Sequence, residues 1–353
     1  MDKPRRAGGG KSRSFLETAG FAQGVRTRIP VFSIQGTAAG PMAVILAAQH
    51  GRELNGVVSI ARVFERLDPA KVRGTIVFLP VMNPIAVRAR QMDFPLETHR
   101  YRSTGITQNM NMNRAWRQTP RAASADQGYV KAVTEVVWKT YLRHADVLLD
   151  LHAWPGNSLS LAQGYPKDKA LLRAFGLPWH AFMTRSDYPA MASAVAAAAG
   201  IPALICELTP QNVICNETVG YGERGILNVL KHSGIVEGSP DLPEVQHEFA
   251  VGHAETIIRT DAEGLLVSEC RLGQVLARGQ VVLRVLSLET LKPLFTFRCP
   301  EDGALLFNLG GTPCGEDALV SAVVYPGQMV GLLKHGARIL RNKTGRQGAS
   351  RSP

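Results

Sequence analysis

Three apolar runs in this sequence end on residues that could do chemistry. "MAVILAAQ" leads into His50 and Glu53 of "QHGRELNG", "DVLLDLH" closes on His152, and "PALICE" closes on Glu207. A histidine and a glutamate three positions apart can turn toward one point, one offering nitrogen and the other oxygen. Structural zinc takes four protein ligands, whereas catalytic zinc keeps three and leaves a position for water. His50, Glu53 and His152 supply two nitrogens and one carboxylate, which leaves Glu207 to handle protons. Each residue also has a plainer reading. Glu53 suits a helix start, where the dipole favours an acid; His152 would serve as a hydrogen-bonded core histidine and Glu207 as a salt-bridge partner. Their common position at strand ends, in this order, favours a site. His99, His144, His180, His232, His247, His253 and His335 have no partner at ligand spacing and read as structural or exposed.

The elements that must position these residues alternate from about Arg26 onward. "RIPVFSIQG", "MAVILAAQHG", "GTIVFLPVMNP", "DVLLDLHAW" and "ALICELT" read as strands, most of them buried. "ELNGVVSIARVFERL", "YVKAVTEVVWKTYLRHA" and "GERGILNVLKHSGI" carry apolar residues at helical spacing. The segment from Ile85 to Arg117 reads as irregular. Buried strands separated by helices predict an α/β domain with a mixed sheet flanked by helices, its functional groups at the carboxyl ends of strands. After the Pro-containing stretch 237–245 the pattern changes to short apolar strands with Gly turns. The expected organisation is a disordered basic tail over 1–16, a catalytic domain over 17–240, a small barrel- or sandwich-like all-β domain over 245–333 and a basic tail over 334–353. The Gly rhythm of "RLGQVLARGQVV" also suits lipoyl- or biotinyl-type carriers, but Lys292 lacks the flanks of their hairpin tip. A structural or oligomerisation role is expected for this domain.

"QHGRELNG", "NMNR" and "LLDLHAW", followed by a Glu after an apolar strand, resemble the succinylglutamate desuccinylase/aspartoacylase family, a branch of the zinc carboxypeptidase fold. The likeness runs over roughly residues 26 to 235, and the β domain resembles that family's C-terminal domain. HxxE alone is a weak signal; HGxExxG after a strand, with a second strand-end His about 100 residues later, is a specific one. The resemblance implies one zinc per chain held by His50, Glu53 and His152. It implies Glu207 as the group that takes a proton from the attacking water and passes it to the leaving amine nitrogen. Asn113 and Arg114 match the pair that grips the substrate carboxylate, a role for which the guanidinium fork is suited. Asp150, two residues before His152 on the same strand side, would orient an imidazole. Three departures surround the substrate and not the metal. The Arg expected some eight or nine residues after Asn83-Pro84 is replaced by Gln91 and Met92, so Arg88, Arg90, Arg100 or Arg102 must polarise the scissile carbonyl. "NRAWRQTP" replaces "NRxFPG", and Glu207 is followed by Leu208-Thr209-Pro210. Trp116 and Trp154 flank the site and would line a pocket or pack in the core. These features imply a zinc-dependent amidohydrolase acting on an N-acyl amino acid or related small carboxylate. The alternatives are a metallocarboxypeptidase acting on short peptides and a metal-free binding or scaffold protein that retains the fold.

Composition narrows the partners. The net charge of +11 sits almost wholly at the two ends, with five Lys/Arg against one Asp in residues 1–13 and six Lys/Arg without an acid in 334–353. The body therefore has no basic excess for a nucleic-acid groove, and no specific nucleic-acid partner is expected. No run approaches the about 18–20 apolar residues of a membrane span, and the charged, glycine-rich start lacks a secretory pattern. The five cysteines show no CxxC pair, so neither a disulfide framework nor a Cys-based zinc site is indicated. A cytoplasmic enzyme with a small carboxylate substrate is the expectation, with homo-oligomers allowed; Cys206 should face away from Glu207 as a core thiol.

Overall fold

Near-continuous apolar strands can be buried only if both faces of their sheet are covered, and the computed structural model shows how this is done. It describes residues 9–18, 27–93, 111–116, 128–184, 189–249, 254–310 and 322–342. A ten-stranded mixed sheet forms the centre. Its middle strands β3 (Ala38–Ala47), β5 (Val147–His152) and β8 (Ala203–Glu207) run parallel, with Leu46 opposite Asp150 and His152 opposite Glu207. On one side β4 (Arg73–Leu79) pairs parallel with β3, and β2 (Arg28–Gln35) and β1 (Gly10–Glu17) follow antiparallel. On the other side β6 (Leu161–Gly164) pairs antiparallel with β8. Next come β7 (Trp179–Phe182), β9 (Val245–Phe249) and the edge strand β18 (Arg338–Arg341).

Side-chain alternation divides the sheet into two apolar faces. Ile45, Ala47, Leu149, Leu151, Leu204 and Cys206 pack with helices α1 (Asn55–Arg66), α4 (Lys169–Phe175) and α6 (Asn216–His232) through Ile60, Phe64, Phe175, Ile226 and Val229. Val44, Leu46, Leu148 and Ala203 pack on the opposite side with α3 (Gly128–Thr140) and α5 (Ala192–Ala198) through Val133, Val137, Ala192 and Ala196. Asp150, His152, Ile205 and Glu207 alternate with the first set and so share the second face. Cys206 is buried on the face away from Glu207. Gly56 lets the first turn of α1 approach β5, because a Cβ there would stand 2.7 Å from Leu151 Cβ.

Two four-stranded sheets follow. One is ordered β10 (Glu255–Arg259), β17 (Met329–Lys334), β15 (Ala304–Leu309) and β12 (Val275–Leu276). The other is ordered β14 (Pro293–Arg298), β13 (Val281–Leu286), β11 (Gly264–Ser268) and β16 (Val323–Val324). They enclose Leu283, Val285, Leu306, Val330 and Leu333. Their outer face packs on the large sheet through Phe307, Leu305 and Leu332 against Leu159, Leu161 and Phe249.

Several expectations need correction. Residues 10–16, expected in a disordered tail, belong to β1, whose backbone pairs with β2 along its whole length. Its Arg13 lies over the Phe64 ring at 4.8 Å and pairs with Glu65, so a basic, exposed strand is held by backbone and cation–π contacts. Residues 338–341, expected in the C-terminal tail, form β18, and both it and β9 belong to the large sheet and not to the small ones. The irregular segment from Ile85 begins inside a helix, α2 (Pro84–Ala89), started by Pro84 and the Asn83 side chain and ended by Arg90 in the left-handed conformation. No helix among the described residues is long and apolar enough to cross a membrane.

Candidate metal centre and the cavity around it

The carboxyl ends of β3, β5 and β8 meet at a cavity of about 260 Å³. Ala48, directly after β3, takes a left-handed conformation with φ 50°. A non-glycine residue there is strained, and it is held by Asn83 N donating to the Ala48 carbonyl at 3.0 Å. This turn swings Gln49 and His50 out of the strand line. Gly51 then passes so close to α2 that a Cβ would lie 2.2 Å from the Ala86 carbonyl carbon. Only glycine fits, which gives the "HG" of "QHGRE" a steric reason.

His50, Glu53 and His152 offer ligand atoms that all lie within 4.8 Å of one another, and all three residues are buried. His50 Nδ1 is 2.9 Å from one Glu53 carboxylate oxygen and His152 Nδ1 is 2.8 Å from the other. The far ring nitrogens are held separately. His50 Nε2 donates to Asn111 Oδ1 at 3.0 Å, and His152 Nε2 faces Asp150 Oδ2 at 3.1 Å. His50 is thereby set as an Nε2–H donor, and on both rings Nδ1 is turned inward with an oxygen behind Nε2, the arrangement by which an acceptor behind an imidazole orients it for a metal. Gln49 Nε2 donates to both Asp150 oxygens at 2.8 Å and Gln49 Oε1 accepts from Trp116 Nε1 at 2.7 Å. The Asp150 carboxylate thus cannot swing away from His152.

The electrostatics match a site built for a cation. Burial works to lower the His50 pKa, but the Glu53 carboxylate and its hydrogen bond outweigh burial and raise it to about 9. His152 is raised in the same way, against burial, by Asp150 and Glu53. Burial would raise Glu53, yet the two imidazoles bring it down to about 2. Metal-free, three buried donors are balanced only by two bound protons, which a divalent cation would replace. A donor set of two imidazole nitrogens and one carboxylate, open to the cavity, fits zinc with a position left for water.

Glu207 lines the same cavity, beside His152 in strand register. Burial pushes its carboxyl up to about 8; His152 opposes this and the Glu53 charge adds to it. Its Oε2 is buried and has no hydrogen-bond partner among the described residues. Asn113 and Arg114, in a 3-10 turn (Met112–Arg114), also line the cavity. Asn113 Nδ2 stands 3.2 Å from His152 Nε2, and its Oδ1 accepts from Ala192 N at 3.0 Å, which ties the turn to α5. Trp154 lines the cavity and meets Phe307 of β15 edge-on at 5.8 Å, whereas Trp116 is fully buried against Gln49.

The structure thus brings His50, Glu53, His152, Glu207, Asn113 and Arg114 to one cavity and sets Asp150 behind a ring. It does not bring Arg90 there: Arg90 is exposed at the end of α2 and lies outside the cavity lining, as does Arg88. Arg100 and Arg102 fall outside the described residues. Gln49 and Asn111 were missed as site residues; their adjacency to His50 and to "NMNR" was the only sequence signal.

Comparison with known proteins identifies the family and the fold. Residues 39–233 match the family profile described as the succinylglutamate desuccinylase/aspartoacylase catalytic domain. The chain is 26% identical over 280 residues to the N-alpha-acetyl-L-2,4-diaminobutyric acid deacetylase of Halomonas elongata, covering 75% of this chain and 77% of that one. A succinylglutamate desuccinylase/aspartoacylase crystal structure from Rhodobacter sphaeroides superposes with a TM-score of 0.70 at 20% identity, over 95% of this chain and 98% of the other. The product-bound ectoine utilization protein EutE (DoeB) from Ruegeria pomeroyi gives 0.71 at 21% identity, over 94% and 97%. Both solved structures share the fold, including the C-terminal β sheets. With the matched segment spanning more than half its length and enclosing His50, Glu53, His152 and Glu207, the chain belongs to the succinylglutamate desuccinylase/aspartoacylase family.

Proposed function

We propose that this protein is a zinc-dependent amidohydrolase that removes the acyl group from an N-acyl amino acid or related small carboxylate. The observation that carries the reading is the inward convergence of His50 Nδ1, the Glu53 carboxylate and His152 Nδ1, with Glu207 on the wall of the same cavity. Zinc held there would act as a Lewis acid and bring the pKa of water to about 7. The remaining tasks fall to the chain's own residues. Glu207, buried and high in pKa, takes up a proton at its carboxylate and delivers it to the departing amine nitrogen. Arg114, with Asn113 beside it, holds the substrate carboxylate. Asp150 and Asn111 keep the two rings in the tautomer that leaves Nδ1 free for the metal. The similarity to a deacetylase acting on an acetylated diamino acid supports an amide bond as the one cleaved.

The first experiment is elemental analysis of zinc in wild type and His152→Ala. About one zinc per chain in wild type and clearly less in the variant is the expected result for a three-ligand site. Folded, zinc-supplemented wild type without metal would sink the proposal. A panel setting N-acyl amino acids against dipeptides then separates deacylase from carboxypeptidase activity.

The small sheets take part through Trp154. Its loop is fastened to β15: Leu159 N donates to the Phe307 carbonyl at 3.2 Å and Leu309 N to the Asn157 carbonyl at 2.9 Å. Asn308, fully buried, donates to Ser158 Oγ at 3.0 Å. Phe307→Leu should remove an edge contact of about 0.5–1.5 kcal/mol and loosen Trp154. The expected outcome is a several-fold rise in KM with kcat and zinc content nearly unchanged; an equal fall in kcat would point to a wider disturbance of the site.

A further inference from the structure

The floor of the cavity is a single sheet face whose chemistry changes from strand to strand. On β5 and β8 it carries His152 and Glu207. One step back along β8 is Ile205, whose register partner on β6 is Gln163. On β7 the partner of Gln163 is Ala181, so this face continues toward Met183, whereas Phe182 pairs with Gly164 and turns to the opposite face. Adjacent strands lie about 4.8 Å apart, so the β7 end is roughly 10 Å from β8, about the reach of an amino-acid side chain or short acyl chain. Ile205, Met183 and Met191 pack together there and are nearly fully buried, and Trp154 and Pro155 also line the cavity. Among the described lining residues the only acids are Glu53 and Glu207 and the only Lys or Arg is Arg114. All three already serve the metal, the proton and the carboxylate. A second charge on the substrate, of either sign, would be desolvated on the β6–β7 side against Ile205 and two thioethers, which is costly.

We infer that Ile205, Met183 and Met191 form an apolar subsite, and that the substrate is an N-acyl amino acid with one uncharged apolar group seated there and one carboxylate. The inference rests on the deacylase reading. The apolar group is either the side chain of the amino acid or the acyl chain, since both branch from the scissile amide.

Zinc-reconstituted wild type tests this in two arms. The first compares N-acetyl-L-leucine, N-acetyl-L-methionine and N-acetyl-L-phenylalanine with N-acetyl-L-aspartate and N-α-acetyl-L-2,4-diaminobutyrate. The second keeps glycine as the amine and compares butyryl and hexanoyl with succinyl. The apolar members of one arm should exceed its charged members in kcat/KM by about 10-fold or more, and the arm that responds identifies the group. Met183→Asp should shift the side-chain arm toward the diaminobutyrate derivative by a similar factor at unchanged zinc content, while Met183→Leu keeps the apolar preference. Charged substrates turning over as fast as apolar ones in both arms would overturn the subsite and leave the deacylase standing. Absence of hydrolysis across both arms in folded, zinc-containing protein would overturn the deacylase and the subsite with it.

Discussion

Glu207→Gln should lower kcat by about 10²–10⁴-fold, the usual contribution of a positioned acid–base group, while zinc content stays at the wild-type level. The substitution is nearly isosteric and leaves His50, Glu53 and His152 in place, so the metal donors are untouched. What is lost is a group that can hold a proton. The wild-type carboxyl is poised for this because burial raises its pKa to about 8 while His152 restrains the rise. Among the described residues, no hydrogen bond to its Oε2 would compete for the proton. An amide there can neither take a proton from water nor give one to an amine. The measurement is steady-state kinetics on matched zinc-loaded samples, with zinc determined on the same preparations. A loss below about tenfold at full zinc would remove Glu207 from the proton-transfer role and turn attention to another base.

The contrast with Glu53 is informative, because both are buried glutamates in one cavity with opposite shifts. Glu53 lies between two imidazoles and is driven down to about 2, so it is an anion at any working pH and suits a metal. Glu207 has less cationic company and is driven up. Environments that push two carboxyls apart in pKa assign them different tasks.

The parts of this arrangement readable in the sequence are those governed by period. Runs such as "MAVILA" and "DVLLDL" could only be buried strands, and a polar residue where such a run stops is placed at the carboxyl end of the sheet. Other parts depend on contacts between distant segments. Strands β6 and β7 are four residues each, too short for alternation to register, although they carry Gln163 and lead into Met183 of the cavity. β1 is exposed along nearly its whole length and basic, so its composition resembles a tail; its partners, the β2 edge and Phe64 and Glu65 of α1, are distant in sequence. β18 is concealed in the same way. The holding of His50 by Asn111 rests on the left-handed turn at Ala48, and nothing local to an alanine announces a positive φ. Arg90, one of four arginines that the family resemblance offers for polarising the carbonyl, ends α2 in a left-handed conformation and is exposed, outside the described cavity lining.

Metal binding should be strongly opposed by acid. In the metal-free site His50 titrates at about 9 and His152 is also raised, so at neutral pH both rings are imidazolium, each holding a proton on the Nδ1 that faces Glu53. A metal can bind only after those protons leave. A raised pKa means the proton-bound form dominates below that value, so apparent zinc affinity climbs as pH rises and levels off only above about 9. Glu53, already ionised above about 2, adds nothing to this dependence. Near pH 7 about two protons should be released per zinc bound, and apparent affinity should rise by up to about two decades per pH unit. Isothermal titration of zinc into metal-free protein, in buffers of different ionisation enthalpy, measures the release directly. Two released protons would show that the buried imidazoles are charged while they wait for the ion. A value near zero would show neutral rings, and Glu53 would then be the uncompensated buried charge that the metal neutralises.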